Sequence, residues 1–195
     1  SGLIFQITQL VFIKSCRWIA TVKDHKNMPE DFTISINLSA LDIAEPNLVT
    51  FIESTLNQFQ LDAKHFILEV TESAAMENIG LFVETINQLK EMGFKISIDD
   101  FGTGYSSMMY LQNIDPDEIK VDMVFVRDIH LNEKNQHIVK TIVQLAHHNN
   151  AIIVAEGVEN ESELNCIASL RCDYAQGYFW CPAIPLDVFE QQYLR

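Results

Sequence analysis

Phe94-Lys95-Ile96-Ser97-Ile98-Asp99 is a short β-rich run that ends on a carboxylate, with a second, Asp100, directly after it. Phe94, Ile96 and Ile98 alternate with polar residues, the period-two signature of a strand. The segment before it, Asn78–Met92, repeats Leu81, Phe82, Ile86 and Leu89 at helical spacing and stops at Gly93, a C-terminal cap. Outward from this unit the alternation continues. β-rich runs fall at Phe32–Asn37, Phe66–Thr71, Glu118–Asp122, Ile152–Glu156 and near Tyr174–Gln176. Helical patterns fill Glu133–His148, Glu161–Leu170 and Leu186–Tyr193. This order predicts an α/β fold with a parallel sheet and right-handed crossovers. Six strands fit an open doubly wound sheet or an eight-stranded β/α barrel short of two strands.

The strand ends favour the barrel. Asn37, Glu69, Asp99 with Asp100, Lys120 with Asp122, Glu156 and Gln176 each lie at or near the C-terminal end of their own run. A β/α barrel turns all such ends to one face, where active sites form, whereas an open sheet spreads them in a line. We therefore expect a TIM-like (β/α)8 barrel lacking about two N-terminal strands, in one domain spanning residues 1–195.

Composition narrows the class. The net charge is −14 over 195 residues, and 48% of residues are hydrophobic. Such a surface repels a long nucleic acid. Cys16, Cys166, Cys172 and Cys181 form no CxxC pair, so reduced thiols and a cytoplasmic setting are expected rather than zinc or disulfides. Ile4–Val22 is broken by Gln6, Gln9, Lys14, Ser15, Cys16 and Arg17, which predicts a buried amphipathic helix. No apolar run is expected to reach the ~20 residues that span a bilayer.

Glu69, Asp99, Asp100 and Glu156 converging in one mouth need compensating charge. Oxygen ligands, with the Asn37 carbonyl among them, suit Mg²⁺ or Mn²⁺ over Zn²⁺. Two such ions serve in-line displacement at phosphorus. Lys120 and Asp122, two apart on a strand, share a face. A lysine there can orient or deprotonate an attacking water, with Asp122 holding it. The loop Phe101-Gly102-Thr103-Gly104-Tyr105-Ser106-Ser107 has two glycines for close backbone approach and hydroxyls that can meet substrate or gate the metals. The bland readings stand beside these. A lone Glu at a strand end is usually surface, the GTG loop is usually a turn, and Asn37 with Ser39 can cap the next helix. The six histidines show no ligand spacing and are read as structural or exposed; Trp18 and Trp180 are read as core or rim.

Asn37-Leu38-Ser39, Glu69-Val70-Thr71-Glu72, Asp99 through Ser107, Lys120-Val121-Asp122, Ala155-Glu156-Gly157-Val158-Glu159 and Gln176-Gly177-Tyr178 occur in the order seen in the EAL-domain phosphodiesterases, which the chain resembles over its length. The resemblance implies hydrolysis of cyclic di-GMP to the linear dinucleotide. It implies Asn37, Glu69 and Asp99 as ligands of one metal, and Asp99, Asp100 and Glu156 as ligands of a second. It implies Lys120 as the water-activating lysine with Asp122 beside it, Gln176 near the water, and Glu72 as anchor of the Phe101–Ser107 loop. It also implies a homodimer and regulatory domains in a longer chain, which can be tethered to a membrane.

The Glu-Ala-Leu motif that names the family is absent here, as is the arginine after it. With barrels of ~250 residues, about 50 are then expected to precede Gly2. Weak or no turnover is expected of the piece itself. The alternative is a degenerate module that binds cyclic di-GMP without cutting it; a purely structural domain gives no reason for Asp99, Asp100, Lys120 and Glu156 to occur together. Arg171 stands where the family usually has Gly, Val70 where it often has Ile, and Met108 where it often has Leu.

Overall fold

The computed structural model describes residues 2–25, 27–29, 31–71, 74, 78–103 and 113–194. In chain order the elements are α1 (Gly2–Val22), β1 (Ile34–Leu38), α2 (Ala40–Ile43), α3 (Leu48–Phe59), β2 (Phe66–Thr71), α4 (Ile79–Glu91), β3 (Lys95–Phe101), β4 (Glu118–Val121), α5 (Met123–Val126), α6 (Glu133–His148), β5 (Ile152–Ala155), α7 (Glu161–Ser169), β6 (Tyr174–Ala175) and α8 (Leu186–Tyr193). The strands follow one another in chain order through a six-stranded sheet. The pairs β1–β2, β3–β4, β4–β5 and β5–β6 are parallel, which requires the crossover connections that the helices provide. The α/β alternation read from sequence is the observed one, with two strands fewer than a complete eight-stranded barrel.

Element ends moved by a residue or two. β1 starts at Ile34 rather than Phe32, and β3 runs on to Phe101 rather than stopping at Asp99. Helices α2 and α3 occupy a stretch the pattern left unassigned. Ser39 explains the first: its hydroxyl accepts from Asp42 N at 3.2 Å while Asp42 Oδ2 accepts from Ser39 N at 2.9 Å, a capping box. Asn37 is not the cap; it lies inside β1.

Two compact units form. One comprises Ser1–Val70, Ala74–Ile96 and Ile184–Arg195; the other comprises Thr71–Ser73 and Ser97–Ala183. In the first, Phe12 of α1 packs its ring 5.3 Å from Phe66 and 6.3 Å from Phe94. Phe12, Cys16 and Ile19 form the buried face of α1 at helical spacing. The opposite face carries Leu3, Ile7 and Leu10, each more than half exposed, so α1 is apolar on both sides of its N-terminal half rather than amphipathic. By length and composition this 21-residue helix is long and apolar enough to cross a membrane, contrary to the sequence expectation. Trp18 sits at the rim, between Phe32 and Phe189, and donates to Glu190 Oε1 at 2.6 Å.

The second unit holds most of the chemistry. Ile98, Ile119, Val121, Ile153 and Ala155 of the strands pack against Val139, Ile142, Val143 and Ala146 of α6. The α6 residues recur at i, i+3, i+4 and i+7, one buried stripe. Each fully buried aliphatic side chain there contributes about 1.5–3 kcal/mol of burial free energy. Asn132 starts α6 by accepting from Asn135 N at 3.2 Å.

Candidate active site

In the first unit, Asn37 and Glu69 are direct partners in the β1–β2 register, so their Cα atoms stand side by side at the same level. Residues level with each other on parallel strands project to the same face. Glu69 is 7% exposed, whereas Asn37 is exposed.

In the second unit the geometry turns on β3. The β3–β4 register runs Ile98↔Ile119 and then Phe101↔Val121, so the strand carries one residue too many between those pairs. The irregularity falls on Asp99 and Asp100. Asp100 takes φ +56°, the left-handed region that aspartate tolerates better than most residues. In a regular strand adjacent side chains point to opposite faces. The bulge breaks that rule, and carboxylate oxygens of Asp99, Asp100 and Glu156 come within 4.8 Å of one another.

Lys120 is placed by β4 and is 5% exposed. Its Nζ lies 2.7 Å from Glu156 Oε1 and 3.2 Å from Asp99 Oδ1. Glu156 follows the last residue of β5 and is fixed by its amide, which donates to Val121 O at 3.1 Å. Gln176 follows β6; its amide donates to Ala155 O at 2.9 Å, and its Nε2 donates to Glu156 Oε1 at 2.5 Å. Asp122 lies one residue past β4 rather than on it. There it caps α5, accepting from Val124 N at 2.6 Å.

Burial pushes the Asp100 carboxyl above the ordinary carboxylate range, and the neighbouring Asp99 and Asp122 add to the rise against the opposing pull of Lys120. Three carboxylates, Asp99, Asp100 and Glu156, thus gather around one ammonium. That excess of negative oxygen, at mutual distances a single cation can span, fits a hard divalent ion.

Of the loop residues singled out from sequence, Phe101 is buried at the end of β3, and Gly102 turns the chain at φ +100° with Phe125 and Ile142 against it. Thr103 Oγ1 donates to Asp100 O at 2.8 Å, which fixes the turn after the aspartates. Gly104, Tyr105, Ser106 and Glu72 lie outside the described residues.

Beside this cluster, within the same unit, lies a groove of about 670 Å³ that Glu156 and Gln176 share with Arg127, Glu159 and Tyr178. Arg127 Nη2 donates to Glu159 Oε1 at 3.3 Å. Both belong to segments tied together by Glu163, whose carboxylate accepts from Asp128 N at 2.9 Å and from Glu159 N at 2.8 Å. Sequence reasoning missed Arg127 and Glu163, and quoted Glu159 and Tyr178 within motifs without giving them a role. Glu163 reads as an ordinary polar residue on the first turn of α7, although it is 2% exposed.

The EAL domain family model matches residues 1–183. The chain belongs to the EAL domain family. Curated relatives agree: the bifunctional diguanylate cyclase/cyclic di-GMP phosphodiesterase MucR of Pseudomonas aeruginosa is 38% identical over 187 residues, 96% of this chain and 27% of that protein. The cyclic di-GMP phosphodiesterase PdeR of Escherichia coli is 33% identical over 195 residues, 100% of this chain and 29% of that protein. The EAL chain spans about a quarter of the length of these curated relatives. Among solved structures, the PaMucR phosphodiesterase complex with c-di-GMP is similar at TM-score 0.89 and 38% identity, covering 96% of this chain and 81% of that one. The EAL enzyme Bd1971 with cAMP and cyclic-di-GMP bound is similar at TM-score 0.92 and 28% identity, covering 98% of this chain and 52% of that one. The α/β fold, with its parallel strands in chain order, is thereby the fold of this family.

Proposed function

We propose that this EAL chain is a phosphodiesterase module that hydrolyses one phosphodiester of cyclic di-GMP to give the linear dinucleotide. The observation that carries the proposal is the buried Lys120 ammonium set between Asp99 and Glu156, beside a third carboxylate, Asp100, in an acidic cluster. Similarity to a phosphodiesterase solved with c-di-GMP supports the choice of substrate.

Asn37, Glu69, Asp99, Asp100 and Glu156 are the residues that would hold Mg²⁺ or Mn²⁺. When bound, such ions supply positive charge at the phosphoryl oxygens and lower the pKa of a coordinated water. The chain's own groups do the rest. Lys120, held as an ammonium by two carboxylates, is the group that orients the attacking water, and a carboxylate of the cluster is the group that can take up its proton. Gln176 holds Glu156 by one hydrogen bond and so fixes the carboxylate that faces Lys120. Asp122 caps α5, which fixes the turn that follows β4 directly after Lys120 and Val121. A second copy and regulatory domains in a longer cytoplasmic protein are the proposed partners.

The test is product analysis. A longer chain that contains these residues, with cyclic di-GMP and Mg²⁺ or Mn²⁺, should yield linear dinucleotide, the present piece alone little or none, and Asp99→Asn should abolish the product. Tight binding with no linear product in the longer chain would establish the non-cutting sensor instead.

A further inference from the structure

The face of β3 and β4 turned away from α6 carries a buried polar pair beside the carboxylate cluster. Ser97 and Glu118 stand level in the β3–β4 register, and Ser97 Oγ donates to Glu118 Oε1 at 2.8 Å. Ser97 is 0% exposed and Glu118 8% exposed. The next level, Ile98 with Ile119, turns to the opposite face and packs with α6. Lys120 lies two residues beyond Glu118 on β4 and shares its face. Asp99, two residues beyond Ser97, meets the Lys120 ammonium at 3.2 Å. The Ser97–Glu118 pair thus lies one step nearer the N-terminal ends of the same two strands than the Asp99–Lys120 pair. Directly after Ile98 the regular register ends, because the shift falls between Ile98 and Phe101.

Burying a carboxyl carries a cost that an apolar side chain of similar volume does not. Register accounts for it. Ile96 and Ile98 are alike, both buried and two apart on β3, so apolar burial does not by itself choose between registers two residues apart. A hydroxyl level with a carboxyl does choose. Any slip of β3 leaves Glu118 Oε1 without the Ser97 hydroxyl at a buried position. β4 has only four residues, so each level of pairing weighs heavily in its register.

We infer that Ser97 and Glu118 are positioning residues of this site, resting on the proposed phosphodiesterase reading. Their hydrogen bond holds β3 to β4 at the last level of this face before the bulge. That level decides where the bulge begins, and so where Asp99 meets Lys120. In an unbulged strand Asp99 and Asp100 would point to opposite faces. Ser97 and Glu118 therefore act through Asp99 and Lys120, not on the substrate.

The experiment compares Ser97→Ala, Glu118→Gln, Glu118→Leu and the double variant Ser97→Ala with Glu118→Leu against the unmodified sequence, in a longer chain that contains these residues. Steady-state kinetics with cyclic di-GMP and thermal unfolding are measured on each. Ser97→Ala and Glu118→Leu each leave one polar partner stranded and should lower Tm. Both should also lower kcat by about 10–10²-fold with KM little changed, the cost of small misplacement at the reacting groups. Glu118→Gln keeps an oxygen for the Ser97 hydroxyl and should keep most of kcat. The double variant strands neither partner, so Tm should recover toward the unmodified value. Its kcat should stay low, because nothing polar then sets the register ahead of Asp99. A pair with a structural role alone predicts that kcat returns with Tm. That return, an unchanged kcat in Ser97→Ala, or a Glu118→Gln as slow as Glu118→Leu overturns the inference and leaves the phosphodiesterase reading intact. Absence of linear product from the unmodified longer chain overturns both.

Discussion

Lys120 Nζ stands 2.7 Å from Glu156 Oε1, and the same ammonium lies 3.2 Å from Asp99 Oδ1. One buried cation thus joins the end of β5 to the bulge in β3. Replacing it with Ala leaves those carboxylates facing each other without their ammonium. Lys120→Ala should lower kcat by about 10²–10³-fold, the usual cost of losing one preorganised electrostatic group at the reacting atoms. Lys120→Arg should not restore the rate, since a planar guanidinium cannot replace a compact ammonium between two carboxylates. Steady-state kinetics with cyclic di-GMP measures both, and a rate within a few-fold of wild type removes Lys120 from the chemistry.

The acidic cluster makes a second prediction that needs no turnover. A cation that binds the folded chain alone raises its stability by RT ln(1 + [L]/Kd), about 2.7 kcal/mol at a hundredfold excess over Kd. Mg²⁺ or Mn²⁺ should therefore raise Tm in proportion to the logarithm of concentration, and chelation should reverse it. Asp99→Asn should flatten the response. An equal rise in wild type and variant would mean that the ions bind elsewhere.

The sequence carried the strands well because burial writes itself into residue type at period two. Phe66–Thr71 and Glu133–His148 were bounded from sequence as they stand in the structure. The level pairing of Asn37 with Glu69 also follows from their places at the ends of β1 and β2. The bulge was not legible. Asp99 and Asp100 are adjacent letters, and only the shift between Ile98 and Phe101, with Asp100 left-handed, brings their carboxylates near Glu156. Nor was Asp122 seen as a helix cap, because α5 is a single turn with no period to detect. Glu163 was invisible for a different reason. Its partners are backbone amides, one four residues before it at Glu159 and one far off in sequence at Asp128, and backbone groups leave no mark on composition.

Glu163 has a pH signature. Burial alone would raise its carboxyl, but the amides of Glu159, Asp128 and Asn160 and the Asn160 side chain outweigh that and hold it below the ordinary 4.5. The folded chain therefore binds this proton more weakly than the unfolded chain. The stabilisation is fully present above about 4.5 and is lost as pH falls through the folded-state value. Glu163→Gln should cost about 1–3 kcal/mol at neutral pH, because an amide cannot accept from both backbone N–H groups through two oxygens. The difference between variant and wild type should shrink below pH ~4.5. Denaturant titrations across the acid range give the answer; a constant difference at all pH values would contradict the clamp.

The thiols should separate by reactivity. Burial pushes Cys16 up to about 12, and burial with Asp173 and Cys166 nearby pushes Cys172 up to about 12. Thiolate is the reactive form, so neither should react at pH 8 in the folded chain. Cys181, half-buried on the groove that holds Glu156, should react first. Timed labelling with a chromogenic disulfide, followed by peptide mapping, distinguishes them. Early labelling of Cys16 would show that α1 opens readily from its core.

Gly157 ties the end of β5 to the start of α5. It adopts φ +71°, and a Cβ built there would lie 2.6 Å from Met123 Cβ. An alanine incurs the left-handed cost of about 1–2 kcal/mol and must also move Met123 or itself. Gly157→Ala should therefore destabilise the chain by at least that amount, a fall in Tm of about 2–4 °C per kcal/mol for a chain of this size. The displacement falls between Glu156 and Val158, and Val158 N bonds Gln176 O at 3.1 Å. The hydrogen bond from Gln176 to Glu156 should loosen with it. The expected outcome is a combined loss, lower Tm in the melt and lower kcat/KM for cyclic di-GMP. A variant that keeps both values would show that the segment can relax around a methyl group, and that the close approach to Met123 is not what positions Glu156.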